Sequence, residues 1–306
     1  EQNGLLPKGH EVAWEQFILH PGPELHPDHS DGRVTLSEED GQVSMAARST
    51  QVVFDKATGR MKIFRIGNQN IIKDELGFVP NFWRAPIDND FGNDLHKRCA
   101  DWKYASQNRI LNEIRSEMRD GKVVVEVAYE LKNAGNQKMA DFRIIYTLNG
   151  NGQILIENQY EKVLADLPET PRIGLAAELI QELDEVQWYG RGPHESYWDR
   201  KTGARIGLYR SSVSDLYWPY LRPQENGNRS DVRWFSLINR EKGYGILIKG
   251  VPTVDFSAHH QRIEDFESLE RTDGRHQDGE HVKNRHTIDV PTRDLVTLNV
   301  DYRQMG

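Results

Sequence analysis

Three segments of this chain gather side chains of the kinds that hold small polar molecules. The first is Phe82-Trp83-Arg84-Ala85-Pro86-Ile87-Asp88-Asn89-Asp90-Phe91-Gly92-Asn93-Asp94. Aromatic rings and an arginine stand here beside three aspartates. That combination suits a sugar: ring faces pack on C–H surfaces while Asp, Asn and Arg supply directional hydrogen bonds. The competing reading is an Arg84–Asp88 ion pair that only braces an irregular loop. Asp88, Asp90, Gly92 and Asp94 imitate part of a calcium loop, but the glycine comes early and the closing glutamate is missing. No metal site is assigned.

The second segment is Trp188-Tyr189-Gly190-Arg191-Gly192-Pro193-His194-Glu195-Ser196-Tyr197-Trp198-Asp199-Arg200. Pro193 follows Gly192 at once and no Gly-Lys-Ser/Thr is present, so a nucleotide phosphate loop is excluded. The third is Tyr217-Trp218-Pro219-Tyr220-Leu221-Arg222-Pro223-Gln224-Glu225-Asn226-Gly227-Asn228-Arg229. Its aromatics serve either as ligand contacts or as plugs at a sandwich edge. Glu225, Asn226, Arg229 and His259 are weaker carbohydrate-contact candidates. His259 and His260 are neighbours in a strand-like stretch, where side chains alternate between faces, so they do not share one metal. One is expected to be buried and the other to face a groove. Gly-x-Ser-x-Gly is absent, and spacing selects no catalytic pair among 47 acidic residues.

The elements that must position these segments read as strands and turns. Residues 51–54 and 61–66 form one hairpin pattern, and residues 110–118 and 122–131 another, split by Asp120-Gly121. Residues 142–148 and 153–160 flank Asn149-Gly150-Asn151-Gly152, and residues 234–239 and 244–249 flank Arg240-Glu241-Lys242-Gly243. Residues 295–302 alternate cleanly. Proline and closely spaced Asx residues predict no regular structure over residues 82–94. No long helical stripe alternates with strands, so the reading is an all-β, large antiparallel sandwich.

Three regions follow from the pattern. Residues 1–20 end in an alternating stretch, 12–19, read as one strand of a sheet otherwise absent. Residues 21–43 read as linker, and residues 44–306 as the sandwich. The charge-rich residues 264–286 read as a solvated excursion. An N-terminus without initiator Met, and an end directly after a strand-like run, suggest a piece of a longer chain.

Composition narrows the function classes. The 306 residues carry a net charge of −8, which disfavours binding to a phosphate backbone. No apolar run reaches the roughly 18 residues of a membrane helix, and residues 123–129 are already broken by Glu126. The chain reads as soluble, with cytoplasm and periplasm equally open. The single cysteine, Cys99, builds neither a disulfide nor a thiolate zinc site alone.

Phe-Trp-Arg-Ala-Pro-Ile-Asp-Asn-Asp at 82–90, Gly-Arg-Gly-Pro-His-Glu-Ser-Tyr at 190–197 and Pro-Gln-Glu-Asn-Gly at 223–227 resemble the C-terminal domain of large bacterial β-galactosidases, glycoside hydrolase family two. Phe256-Ser257-Ala258-His259 and the closing residues 298–306 fit the same domain. Residues 5–19 resemble the last strand of the immunoglobulin-like domain that precedes it. The resemblance implies a supersandwich similar to galactose mutarotase. It also implies a retaining hydrolase whose two glutamates, about 5–5.5 Å apart, lie in a central barrel outside this chain. None of this chain's residues is then catalytic. Arg84, Asp88, Asn89, Asp90, Gly92, Asn93 and Asp94 become candidates for the wall of the galactose pocket. A tryptophan of the family's pocket belongs to a Gly-Gly-Asp-Asp-Ser-Trp motif just beyond the Met-Gly at 305–306. No cofactor is expected in this chain, the family's magnesium and sodium being bound mainly elsewhere. The implied partners are a β-galactoside, the barrel and immunoglobulin-like domains, and further subunits. Two rivals share the fold: a free-standing aldose 1-epimerase using His259 or His260, and a carbohydrate-binding module.

Overall fold

The computed structural model describes residues 5–19, 32–267 and 286–304. Five strands open the fold: β1 (Val34–Glu39), β2 (Gln42–Ala47), β3 (Thr50–Asp55), β4 (Met61–Ile66) and the short β5 (Gln69–Asn70). They form one antiparallel sheet in sequence order. After β6 (Val79–Asn81) come three helical pieces, α1 (Asp88–Gly92), α2 (Leu95–Arg98) and α3 (Ala100–Gln107). A four-stranded meander follows: β7 (Ile110–Arg119), β8 (Lys122–Lys132), β9 (Lys138–Leu148) and β10 (Ile154–Lys162). The rest is β11 (Arg172–Leu179), β12 (Glu185–Gly192), β13 (Arg205–Ser212), α4 (Val213–Leu216), β14 (Arg229–Asn239), β15 (Tyr244–His259) and β16 (Val296–Gln304). With β6 these strands build a seven-stranded sheet in the order β13-β12-β14-β15-β16-β11-β6. The chain is all-β, in antiparallel sheets.

Alternation decides which faces meet. Val123, Val125, Val127, Tyr129 and Leu131 of β8 are buried, and Phe142, Ile144, Tyr146 and Leu148 of β9 lie against them. The β7–β8 turn needs two left-handed residues, and Asp120 (φ 49°) and Gly121 (φ 72°) supply them. Phe54 meets Tyr146 with ring centroids 4.9 Å apart, joining the first sheet to the meander. Phe235 and Phe256 stack at 4.2 Å within the seven-stranded sheet's apolar face. All three sheets share this core.

The other face of the seven-stranded sheet is polar yet buried. In β16, Val296 and Leu298 join the core, while Thr297, Asn299 and Asp301 face the opposite way and are also buried. Asp301 stands opposite Asp255 on β15 and Gly174 on β11. A Cβ on Gly174 would lie 2.0 Å from Asp301 Oδ1, so only glycine leaves room for that carboxyl. Loops cover this polar face, and those loops carry the candidate site.

The sequence reading needs three corrections here. Residues 34–43, assigned to a linker, are β1 and the start of β2, paired in register. Residues 12–19 form no strand; alternation alone does not make one without a ladder partner. Residues 88–92 form α1 where no regular structure was expected over 82–94, and two helical pieces that the sequence reading did not assign, α2 and α3, follow. Residues 100–107 escaped notice because α3 is short and weakly amphipathic, with Trp102, Ala105 and Ser106 as its buried positions. The stretch 264–286 lies mostly outside the described residues; where described, Phe266 is buried and Glu267 bonds inward. No helix among the described residues is long and apolar enough to cross a membrane.

Candidate functional site

The segment 82–94 is built around one buried ion pair. Arg84 is 1% exposed, and its Nη1 donates to Asp90 Oδ2 at 2.6 Å while Nη2 reaches Oδ1 at 3.3 Å. Asp90 Oδ2 also accepts from Ile87 N–H at 2.7 Å, which starts α1 as a capping carboxylate does. This is why the Asx-rich stretch becomes a helical turn rather than an open loop. Asp88 is therefore not the partner of Arg84. It turns outward and takes Arg222 Nη1 at 3.2 Å and Gln224 Nε2 at 3.3 Å. The Arg222 guanidinium lies over the Phe91 ring at 4.0 Å. Asp88, Asn89, Gly92, Asn93 and Asp94 are exposed, whereas Leu95 is buried. Asn93 is tied down rather than loose: its Oδ1 accepts from Leu95 N–H at 3.0 Å, and Arg98 donates to its carbonyl and side chain. Glu169 holds Arg98 from the other side.

The second and third segments interlock beside it. Glu195 accepts from Arg200 Nη1 at 2.9 Å, from Gly227 N–H at 2.7 Å and from the Tyr220 hydroxyl. A single carboxylate thus ties the 190–200 loop to both ends of the 217–229 loop. Gly227 has φ 77°, and a Cβ there would lie 2.5 Å from the His259 ring. Trp198 and Trp218 remain 47% and 56% exposed at the rim.

The weaker candidates lie beneath these loops. Glu225, Asn226, Arg229 and His259 are all buried. Glu225 Oε1 accepts from Arg172 Nη2 at 3.2 Å, and Arg172 Nε lies 3.2 Å from Asp301 Oδ2. His259 Nε2 bonds the Asn226 carbonyl at 3.0 Å. His260 is buried as well and bonds the Leu295 carbonyl at 2.7 Å and Asp184 at 3.1 Å, so neither histidine faces a groove. Among the described residues no cluster of three His, Cys, Asp or Glu is arranged to hold a metal. Sequence reasoning missed Arg172 and Asp301, which join Glu225 in this network. One available signal was Asp301, a carboxylate in a strand whose polar column had to face something.

Burial dominates the proton equilibria here. It pushes the Asp301 carboxyl up to about 8, against the pull of Arg172 and with help from Asp255 and Glu225. It pushes Asp255 up to about 6 and the His259 imidazole down to about 4. The sign for stability follows. Folded Asp301 keeps a proton that the unfolded chain loses near pH 4, so its contribution falls as pH rises from about 4 to 8. Folded His259 refuses a proton that the unfolded chain binds near 6.5, so its contribution falls as pH drops from 6.5 toward 4. Between 4 and 6.5 the two oppose; above 6.5 Asp301 acts without that counterweight. Stability is expected to decline from pH 6.5 to 8, with a slope of at most about 1.4 kcal/mol per pH unit. Asp301→Asn should flatten the decline. Urea midpoints at both pH values check this, and equal declines in wild type and variant would refute it.

Among the described residues, the exposed edge of the 82–94 segment presents groups of the kind that bind polar molecules. Glu225 is paired with Arg172, and Asp90 with Arg84, and both carboxylates are buried. Asp88, Asn89, Asn93 and Asp94 offer carboxylate and amide groups beside Phe91 and Arg222, the grouping that receives vicinal hydroxyls.

Comparison with known proteins places this geometry in a family. A family profile described as "Beta galactosidase small chain" matches residues 46–306. A β-galactosidase of Priestia megaterium is 36% identical over 300 residues, covering 97% of this chain and 27% of that protein. A β-galactosidase of Lactobacillus delbrueckii subsp. bulgaricus is 32% identical over 249 residues, covering 79% and 23%. One from Vibrio cholerae is 29% identical over 311 residues, covering 97% and 27%. The chain thus spans about a quarter of the length of these relatives. By the match over 46–306, the chain belongs to the β-galactosidase small-chain family and is the C-terminal region of such an enzyme.

Proposed function

We propose that this chain forms part of the galactose-pocket wall of a β-galactosidase that hydrolyses terminal non-reducing β-D-galactosides. It supplies sugar contacts and domain contacts; the two carboxylates of the retaining reaction belong to the larger remainder of the enzyme. The observation that carries this reading is the exposed edge of α1 and α2, Asp88, Asn89, Gly92, Asn93 and Asp94, pinned on one side by Arg222 and Gln224 and on the other by Arg98. Arg84 and Asp90, also candidates for sugar contact, serve that edge from below as its brace. Glu225, Asn226, Arg229 and His259 act in the same indirect way. Magnesium and sodium, if the enzyme uses them, are held mainly by the remainder.

An aldose epimerase reading needs His259 or His260 to reach a sugar. Both are buried with ring nitrogens engaged by carbonyls, which disfavours it. The test is direct. The purified chain should not turn over an aryl β-galactoside, and galactose should bind no better than millimolar, about −4 kcal/mol. Turnover by the chain alone would overturn the proposal, and micromolar galactose binding by calorimetry would favour an independent binding module.

A further inference from the structure

The seven-stranded sheet ends on β13, which has a strand on one side only. An open edge presents unpaired N–H and C=O groups and invites another chain to add to it. At Ile206 both groups are taken by a single side chain from far away in the sequence. Ile206 N–H donates to Gln16 Oε1 at 2.7 Å, and Gln16 Nε2 donates to the Ile206 carbonyl at 2.9 Å. A primary amide thereby reproduces the paired bonds that a neighbouring strand would make. One residue earlier, Arg205 pairs with Glu11 and lies over the Trp14 ring, 4.7 Å from its centroid. Three side chains of one short segment therefore meet two consecutive residues of one edge strand.

The place of this contact matters. Arg205 and Ile206 stand opposite Gly192 and Arg191 of β12. The intervening residues, 193–204, form the loop that carries Glu195, and Arg191 fastens it by donating to the Lys201 and Ala204 carbonyls at 3.0 and 2.8 Å. The contact thus sits at the end of the sheet that bears the candidate wall. Apart from Trp14, the segment's large apolar side chains take no part: Val12, Phe17, Ile18 and Leu19 stay 81%, 80%, 80% and 83% exposed. Nonspecific collapse would have buried those first. The grip is polar and in register.

We propose that residues 11–16 are a clasp on the open β13 edge, held in fixed register beside the site-bearing loops. The Gln16 amide acts as a surrogate strand, and Glu11 and Trp14 fix the Arg205 side chain. Occupied in this way, the edge at Ile206 is closed to strand addition by a second copy.

Amide hydrogen exchange on the 306-residue chain reads the clasp at one site, because Ile206 N–H has Gln16 as its acceptor. In Gln16→Ala the Ile206 amide is expected to exchange about tenfold faster, the loss of one local hydrogen bond. Gly207 and Tyr209, the flanking residues of β13, should keep their rates. Gln16→Glu, which retains the acceptor but sets a carboxylate against the Ile206 carbonyl, should fall between. Ile206 exchanging as fast in the wild type as in Gln16→Ala would overturn the proposal. So would equal acceleration at Gly207 and Tyr209, which would make Gln16 a contributor to general stability instead of a clasp.

Discussion

Arg172→Met is expected to destabilise the chain by about 3–5 kcal/mol, the cost of removing one partner from a buried ionic group. Arg172 is fully buried, and its guanidinium serves four neighbours from different parts of the fold. It donates to Glu225 Oε1 at 3.2 Å, to Gln304 Oε1 and to the Trp83 carbonyl at 3.4 Å, and its Nε faces Asp301 Oδ2 at 3.2 Å. One planar group thus ties β11, β16 and two of the site segments. Methionine replaces the apolar stem and fills much of the space, so a cavity is not the main loss. The loss is that Glu225 keeps its charge in a place water does not reach. Urea unfolding measures the effect, and Arg172→Met with Glu225→Gln should recover a large part of it, since the stranded charge is then gone. A loss under about 1 kcal/mol for the single variant would contradict this account, because a buried charge cannot be stranded so cheaply.

The strands and hairpins were legible because their signals are local. Asp120-Gly121 and Asn149-Gly150-Asn151-Gly152 name their turns, and the alternation of β8 names its buried face. The helical turn at 88–92 was not legible, because it depends on Asp90 being drawn inward by Arg84 across six residues. Asp88 and Asp90 are equally good partners on paper. Only the side of the chain that faces the core distinguishes them. The polar network had the same difficulty: Arg172, Glu225 and Asp301 are spread over 130 positions, and nothing local says that they meet. The strand expected at 12–19 failed for the opposite reason. Its alternation is a local signal, but a strand needs a ladder, and here one glutamine amide does that work at a single residue. The family resemblance was legible from motifs in all three loops, and these are the segments that the fold brings together.

Arg84 and Asn93 separate bracing from contact within one segment. Arg84→Ala is expected to cost about 3–5 kcal/mol, since Asp90 would remain buried at 3% exposure with its charge unmatched. The carboxylate keeps the Ile87 N–H, but one neutral donor does not replace a two-pronged guanidinium. α1 should fray with it, because the same carboxylate starts that turn. Asn93 is exposed, and its side chain accepts from Leu95 N–H and from Arg98 at the surface. Asn93→Ala should therefore cost no more than about 1 kcal/mol, the value of a lost exposed cap. In a whole β-galactosidase carrying both residues the order should reverse for the sugar. Asn93→Ala should raise KM for a galactoside with the protein's Tm nearly unchanged, whereas Arg84→Ala should lower Tm first and activity only as the edge is lost. Thermal melts of the two chain variants, set beside KM values in the whole enzyme, decide the matter. Equal losses of Tm would show that the exposed edge and its brace are one structural unit, and the assignment of Asn93 to sugar contact would fall.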